Sequence, residues 1–458
     1  MAGIGFTLRK MTGRGDLWGI VQAYSYSAML SSGPWLFTIM ALVGITFLSR
    51  YLVTWDDLLL FRTVITYNFS FSLVFCGPIV MVGTRLLADQ IHDDTLDRAP
   101  SLLFSMMLAY VLLVSAPMIW LYGYAADLTP AQRAAAIVGG YLIGLIWTVV
   151  VFVSALKNYT FVSGIFFAGM LLAFFACGFL LTGFGATGLI WGFNAGLALI
   201  LFGLLAWIFV EYPALPGDLA ILPRQGRVYW VLGVSGLSYN IAIWVDKWVM
   251  WMRDDSVDVV AGILRTAPYY DSAMFLSYLF TIPIFAVFFV NIETSFFEKY
   301  NRFYKSFQKH ATYSAIESYQ REIVNFTLLS LRNLVVLTGL LAILIVLSAA
   351  FILETMNIPF KEIGVFRFGA LGACLHVLSM FAMVFLSYFD FRKPVMLLNI
   401  TFLVANFTFT WLTAAYFPLH GMGYFLAAGL TFILAMSCLV YNLKRLAYGA
   451  FITNNPSI

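Results

Sequence analysis

Charge is the scarcest property of this sequence. Of its 458 residues only 10% are Asp, Glu, Lys or Arg, while 62% are apolar. Soluble domains carry about 25% charged residues, so a soluble enzyme, a disordered chain and a nucleic-acid binder are excluded as readings of the whole. Catalytic signatures are missing too: no GxxxxGK[ST], HExxH, CxxC or GxSxG occurs. That removes P-loop nucleotide hydrolysis, a zincin-type metal and a nucleophile elbow. The four cysteines, Cys76, Cys177, Cys374 and Cys438, lie singly inside apolar runs. Their spacing fits neither a metal site nor a disulfide framework, and they read as small hydrophobes. No metal and no cofactor is expected.

What is abundant is long apolar runs. Twelve are read, at about 17–48, 61–84, 101–124, 133–156, 159–182 and 186–210, then 228–252, 266–291, 323–352, 363–388, 394–415 and 421–443. Twelve spans of about 23 residues use about 276 positions, in keeping with the apolar fraction. The runs are continuously apolar and lack the ten-residue alternation of an outer-membrane barrel, so they predict helices. The first is too long for a signal-peptide core and is retained as a span.

Basic residues sort by loop. One side holds Arg9, Lys10, Arg14, Arg85, Arg98, Lys157, Arg224, Arg227, Lys299, Arg302, Lys305, Lys309, Arg321, Arg392, Lys393, Lys444 and Arg445; the other holds only Arg50, Arg62, Arg133, Arg253, Arg265 and Lys361. The positive-inside rule then places both termini in the cytoplasm, which an even span number requires.

A Pro-rich break at 212–227 (Pro213, Pro216, Pro223) separates six spans from six. The expected organisation is a cytoplasmic segment 1–16, a six-helix bundle 17–211, a linker 212–227, a second six-helix bundle 228–446 and a tail 447–458. Each half has its longest charged cytoplasmic loop between its second and third spans, the plan of parallel repeats with a substrate path between the halves. The loop 293–322 carries Phe296, Tyr300, Phe303, Tyr304 and Phe307 at helical spacing, interleaved with Lys299, Arg302 and Lys305. It predicts an amphipathic helix lying on anionic lipid, or a docking face for a partner.

Ionisable residues inside spans are costly and therefore functional candidates. They are Asp246 and Lys247 in the seventh span, Arg332 in the ninth, Arg367 and His376 in the tenth, and Asp271 one turn inside the eighth. Adjacent helical positions point about 100° apart, so Asp246 and Lys247 are expected to look toward different neighbours. Asn240, Trp244, Lys247 and Trp251 share one helical face, with Tyr239 and Asp246 on the next. Rings with amide and ammonium groups suit a sugar, and Tyr270 extends the aromatic set. The alternative for Asp246 and Lys247 is a structural bridge to Arg332, Arg367 or Asp271. His376 reads as a packing residue, and Asn68, Asn194, Asn399 and Asn406 as interhelical hydrogen-bonding groups. Gly33 and Pro34 in SSGPW are hinge candidates because Pro removes a helical hydrogen bond. Asp56–Asp57 is a weak signal for a polytopic glycosyltransferase; a solvated loop fits better.

The segments MAGIGFTLRKM, SYSAMLSSGPWLF, DKWVMW and the run from Tyr270 through IPIFAVFFVNIETSFF together resemble the PelG family of Pel exopolysaccharide transporters, within the MOP flippase superfamily. The resemblance implies an all-α polytopic protein with about twelve transmembrane helices in two MATE-like bundles. It also implies a bacterial inner-membrane location and export of an N-acetylgalactosamine-rich Pel polymer from cytoplasm to periplasm. Implied partners are the polysaccharide, membrane lipid, the glycosyltransferase PelF and the membrane proteins PelD and PelE, with no nucleic acid and no catalytic set. A cation-coupled small-molecule exporter of the same fold is the alternative.

Overall fold

The fold is that of a computed structural model describing residues 17–156, 159–253, 257–309, 311–355, 359, 362–417 and 419–446. The expected segment 1–16 with its three basic residues, the tail 447–458, Lys157 and Lys361 lie outside the described residues. Helices follow the apolar runs, as a lipid environment demands: only a helix satisfies its backbone donors and acceptors internally. They are α1 (Leu17–Ser49), α2 (Trp55–His92), α3 (Ala99–Met118), α4 (Pro130–Leu156), α5 (Tyr159–Glu211) and α6 (Trp230–Arg253). A short antiparallel hairpin, β1 (Asp258–Ala261) and β2 (Leu264–Thr266), intervenes. Then come α7 (Pro268–Leu279), α8 (Ile282–Asn291), α9 (Phe297–Gln308), α10 (Tyr313–Thr355), α11 (Ile363–Tyr388), α12 (Arg392–Tyr416) and α13 (Met422–Lys444).

Among the described residues, 11 helical segments are long and apolar enough to cross a membrane. One of them is folded on itself. Within α5, Gly185 sits at φ 52° and ψ −133°, a conformation that only glycine adopts without strain. Beyond it the chain runs back along its own first arm: a Cβ on Gly192 would lie 2.6 Å from the Cys177 nitrogen, and one on Gly196 would lie 2.3 Å from the Gly169 oxygen. The Asp57 carboxylate fastens this turn by accepting the Ala186 N–H at 3.1 Å, while its other oxygen accepts the Thr54 hydroxyl at 2.8 Å. The acidic pair at the start of α2 is thus half accounted for by structure, and α5 supplies two of twelve apolar arms.

Two compact units emerge, Ser32–Pro268 and Met1–Ser31 with Tyr269–Ile458. The Pro-rich break is not where they divide. Residues 212–227 are strapped onto α3: the Ser101 hydroxyl accepts the Gly217 N–H at 2.9 Å, and the Ser105 hydroxyl donates to the Leu219 carbonyl at 2.6 Å and accepts the Leu222 N–H at 3.2 Å. Helix α6 then packs on α2, where Gly77 and Gly236 meet so closely that a Cβ on either would fall 2.5–2.7 Å from the other's carbonyl oxygen.

The unit Ser32–Pro268 is organised around α4. Its carbonyls at Ala135, Ala136, Gly140 and Gly144 accept the Asn194 amide (2.8 Å), the Asn68 amide (3.0 Å), the Tyr110 hydroxyl (2.6 Å) and the Cys76 thiol (3.1 Å). Asn68 in turn accepts the Tyr122 hydroxyl at 2.9 Å. Asn68 and Asn194 thus bond between helices, as expected, whereas Asn406 accepts the Thr410 hydroxyl of its own helix at 3.1 Å.

In the unit containing α7 to α13, α11 is central, with 78% of its apolar stretch buried. Phe381 stacks on Phe288 at 3.7 Å, and His376 is enclosed against Phe402 at 4.6 Å. The amphipathic loop departs from expectation. Phe296 and Phe303 are fully buried, Phe296 among Phe385, Tyr388 and Phe389, and Tyr300 against Tyr388 and Phe389. The aromatic face that periodicity assigns to lipid or a partner is covered by the chain's own α11 and its following turn.

Gly144 has no room for a methyl group, since its Cβ would lie 1.9 Å from the Tyr110 ring. Gly144→Ala should lower stability by about 1–3 kcal/mol through overpacking, and by more than Tyr110→Phe, which forfeits one hydrogen bond worth about 0.5–1.5 kcal/mol. Thermal unfolding in detergent ranks the two; the reverse order would contradict this account of α4.

A buried ion pair on helix α6

Asp246 is fully buried, and Lys247 keeps 12% of its side chain exposed. Rather than facing apart, they pair with each other. The Lys247 ammonium donates to both Asp246 carboxylate oxygens, at 3.2 and 3.1 Å, and to the Ile243 carbonyl one turn back at 3.1 Å. The expectation of separate neighbours followed Cβ directions; the four-carbon lysine stem is long enough to turn back across the helix and bring the ammonium to the carboxylate. The ammonium also lies 5.9 Å from the Trp244 ring. The Trp244 indole N–H is enclosed and has no acceptor among the described residues.

The surrounding side chains divide into packing and open positions. Trp251 stacks on Tyr67 at 4.7 Å, with rings 15° from parallel, and Trp248 donates to the Ser70 hydroxyl at 3.0 Å and stacks on Phe71. Asn240 lies over Gly77, its amide donating to the Gly236 carbonyl at 2.8 Å. These three therefore face α2. Tyr239 and Trp244 are half-buried. Beyond α6, the Tyr67 hydroxyl donates to the Arg265 carbonyl at 3.0 Å and accepts the Arg265 N–H at 3.1 Å, anchoring the β-hairpin. Its Gly262, at φ 59°, abuts the Ala125 carbonyl. Sequence inspection passes over this hairpin because its strands are only three and four residues long. Its one signal is the glycine between Val-Val-Ala and Ile-Leu.

Apart from Gly33 and Pro34, the remaining sequence candidates belong to the other unit. Tyr270 is buried and Asp271 half-buried. Arg332 is exposed on α10, with its guanidinium 3.3 Å from the Asn333 amide oxygen, and Arg367 is exposed with its Nε donating to the Val346 carbonyl at 3.3 Å. Of the basic candidates on α9, Lys299 pairs with Glu322 and Arg302 with Glu298 at 2.6 Å, while Lys305 is exposed. Gly33 is buried and Pro34 half-buried inside an unbroken α1, and the division between the compact units falls beside them, at Ser31/Ser32. No group of His, Cys, Asp or Glu among the described residues could hold a metal ion.

A buried ion pair and an enclosed indole donor thus sit in a predominantly helical architecture of membrane-spanning length, and comparison with known families specifies it. The PelG family of exopolysaccharide exporters (EPS-E) matches residues 1–451. The chain belongs to the PelG family. No curated protein matches it. Among solved structures it is similar to a MATE transporter in the straight conformation (TM-score 0.58, 13% identity, covering 93% of this chain and 96% of that one) and to one in the bent conformation (0.55, 14%, 99% and 100%). A MOP superfamily transporter from Pyrococcus furiosus is similar too (0.55, 13%, 93% and 97%). PelG-family membership and the MATE-like fold together identify a multi-pass membrane transporter, and the Pel-like resemblance of the sequence agrees with them.

Removing one partner of a buried pair strands the other charge. Lys247→Met should therefore destabilise the protein by about 3–5 kcal/mol, whereas Asp246→Asn combined with Lys247→Met should recover most of that loss. Unfolding of the three proteins in detergent measures it; a double variant no better than Lys247→Met would mean that the two residues act separately.

Proposed function

We propose that the protein exports a nascent, N-acetylgalactosamine-rich Pel polysaccharide from cytoplasm to periplasm across the bacterial inner membrane. The family match over residues 1–451 carries this reading. The chemistry of α6 supports it: an enclosed indole N–H without an acceptor leaves a donor for a hydroxyl or acetamido oxygen. A lysine already neutralised by its neighbour adds hydrogen-bonding capacity without net charge. Trp244, Tyr239 and Lys247 are the path residues, with Asn240 and Trp251 holding α6 in place. Arg332, Arg367, Asp271 and Tyr270 have no assigned contact with substrate in this reading.

Because Lys247 occupies the Asp246 carboxylate, a coupling cation would have to displace an ammonium. This favours elongation of the polymer as the driving force over an ion gradient acting at Asp246. Both termini are placed in the cytoplasm by the distribution of basic residues. PelF, PelD and PelE are the partners, met through the exposed basic side chains of α9, Arg302 and Lys305, rather than through its aromatic face. Gly33–Pro34 is the hinge, where the helix lacks one backbone hydrogen bond. A cation-coupled small-molecule exporter of the same fold is the second reading.

The test is reconstitution. Vesicles containing this protein and the partner glycosyltransferase, supplied with nucleotide sugar outside, should accumulate polymer in the lumen, and vesicles lacking the protein should not. Because Asp246→Asn alone would strand the Lys247 charge, the driving force is tested on wild type: export should continue at an unchanged rate when ionophores collapse the proton and sodium gradients across the vesicle. Polymer confined to the outer medium would refute the export reading, and resistance of overproducing cells to lipophilic cations would favour the second one.

A further inference from the structure

Helix α10 is the least buried of the membrane-spanning segments, with only 22% of its apolar stretch covered. Along one face it exposes Val336, Leu340, Ile343, Leu344, Leu347 and Phe351. At one end of that stripe stands Arg332, exposed, with Asn333 beside it. From Arg332 to Phe351 is 19 residues, about 28 Å of helix, close to the roughly 30 Å of a hydrocarbon core. Arg332 therefore lies where α10 passes from headgroups into acyl chains, and not mid-membrane as its place in the ninth span predicts. Residues 313–331 then project beyond the bilayer, with α9 folded against them.

Below Arg332 the surface is recessed. Leu340, Ile343, Leu344, Leu347 and Ser348 line a shallow groove, and Gly339 has nothing within 4 Å of where a Cβ would stand. Leu340 is eight residues, about 12 Å, from Arg332, so the groove opens within the depth of a single leaflet, about 15 Å. Residues 323–353 of α10 contain no Asp or Glu that could attract a headgroup amine. Arg367 reaches α10 at Val346, about 21 Å further along, too far to share one headgroup.

We infer that this face of α10 is a binding site for an anionic phospholipid, with its phosphate on the Arg332 guanidinium and one acyl chain in the Leu340–Ser348 groove. A guanidinium matches phosphate oxygens bidentately and remains charged at an interface. The neighbouring amide fixes its orientation. The site is independent of the export reading and concerns the leaflet on the side of the α9–α10 connection.

Native mass spectrometry of the full chain in detergent tests it, with phosphatidylglycerol and phosphatidylcholine of identical acyl chains as probes. Wild type should retain phosphatidylglycerol preferentially, Arg332→Ala should retain it about fivefold less, as one basic contact implies, and Arg332→Lys should keep most of the preference. Leu344→Trp, which fills the groove, should weaken retention of both lipids. Equal retention of the two lipids by wild type, or undiminished phosphatidylglycerol retention by Arg332→Ala, would overturn the inference. So would a lipid-free dimer dissociated by Leu344→Trp, because the stripe would then be covered by a second copy.

Discussion

The structure depends on the second lone pair of helical carbonyl oxygens. In a bilayer each backbone carbonyl is already committed to the amide one turn later, and a polar side chain has no water to turn to. Helix α4 resolves this for its unit by offering four carbonyls, from Ala135 to Gly144, to donors on α2, α3 and α5. Small residues make the offer possible. A Cβ at Gly139 would lie 2.8 Å from both the Asn68 amide and the Asn194 oxygen. Helix contact by small residues and contact by hydrogen bonds are here the same contact.

The same economy governs α6. Asp246 and Lys247 are neutralised locally, within one turn, so the helix carries a carboxylate and an ammonium through the interior with no net charge. Beyond this pairing, α6 is held by glycine contact with Gly77 and by ring stacking on Tyr67. The Trp244 indole N–H on that helix has no acceptor among the described residues.

Much of the fold is legible in the sequence because lipid acts on length and polarity alone. The runs at 159–182 and 186–210 are separated by a Gly-Phe-Gly break, and Gly185 is indeed where α5 reverses. Asn68 and Asn194 are likewise readable, since burial leaves them few options. The α6 site is less so. Periodicity places Asn240, Trp244, Lys247 and Trp251 on a common face but cannot say what that face meets, and Asn240 and Trp251 meet α2. The amphipathic loop misleads for the same reason: an aromatic stripe has the same spacing whether lipid, a partner or α11 covers it.

By itself, then, the sequence determined that the chain is built of apolar helices long enough to span a membrane and that α5 must turn at Gly185, because those follow from summed hydropathy and from residues with restricted or special backbones. Tertiary structure alone decided that Asp246 and Lys247 pair with each other, that residues 212–227 strap onto α3, and that the aromatic face of α9 is covered by α11. Those outcomes depend on side-chain reach and on which helix lies alongside, and a pattern along one dimension carries neither.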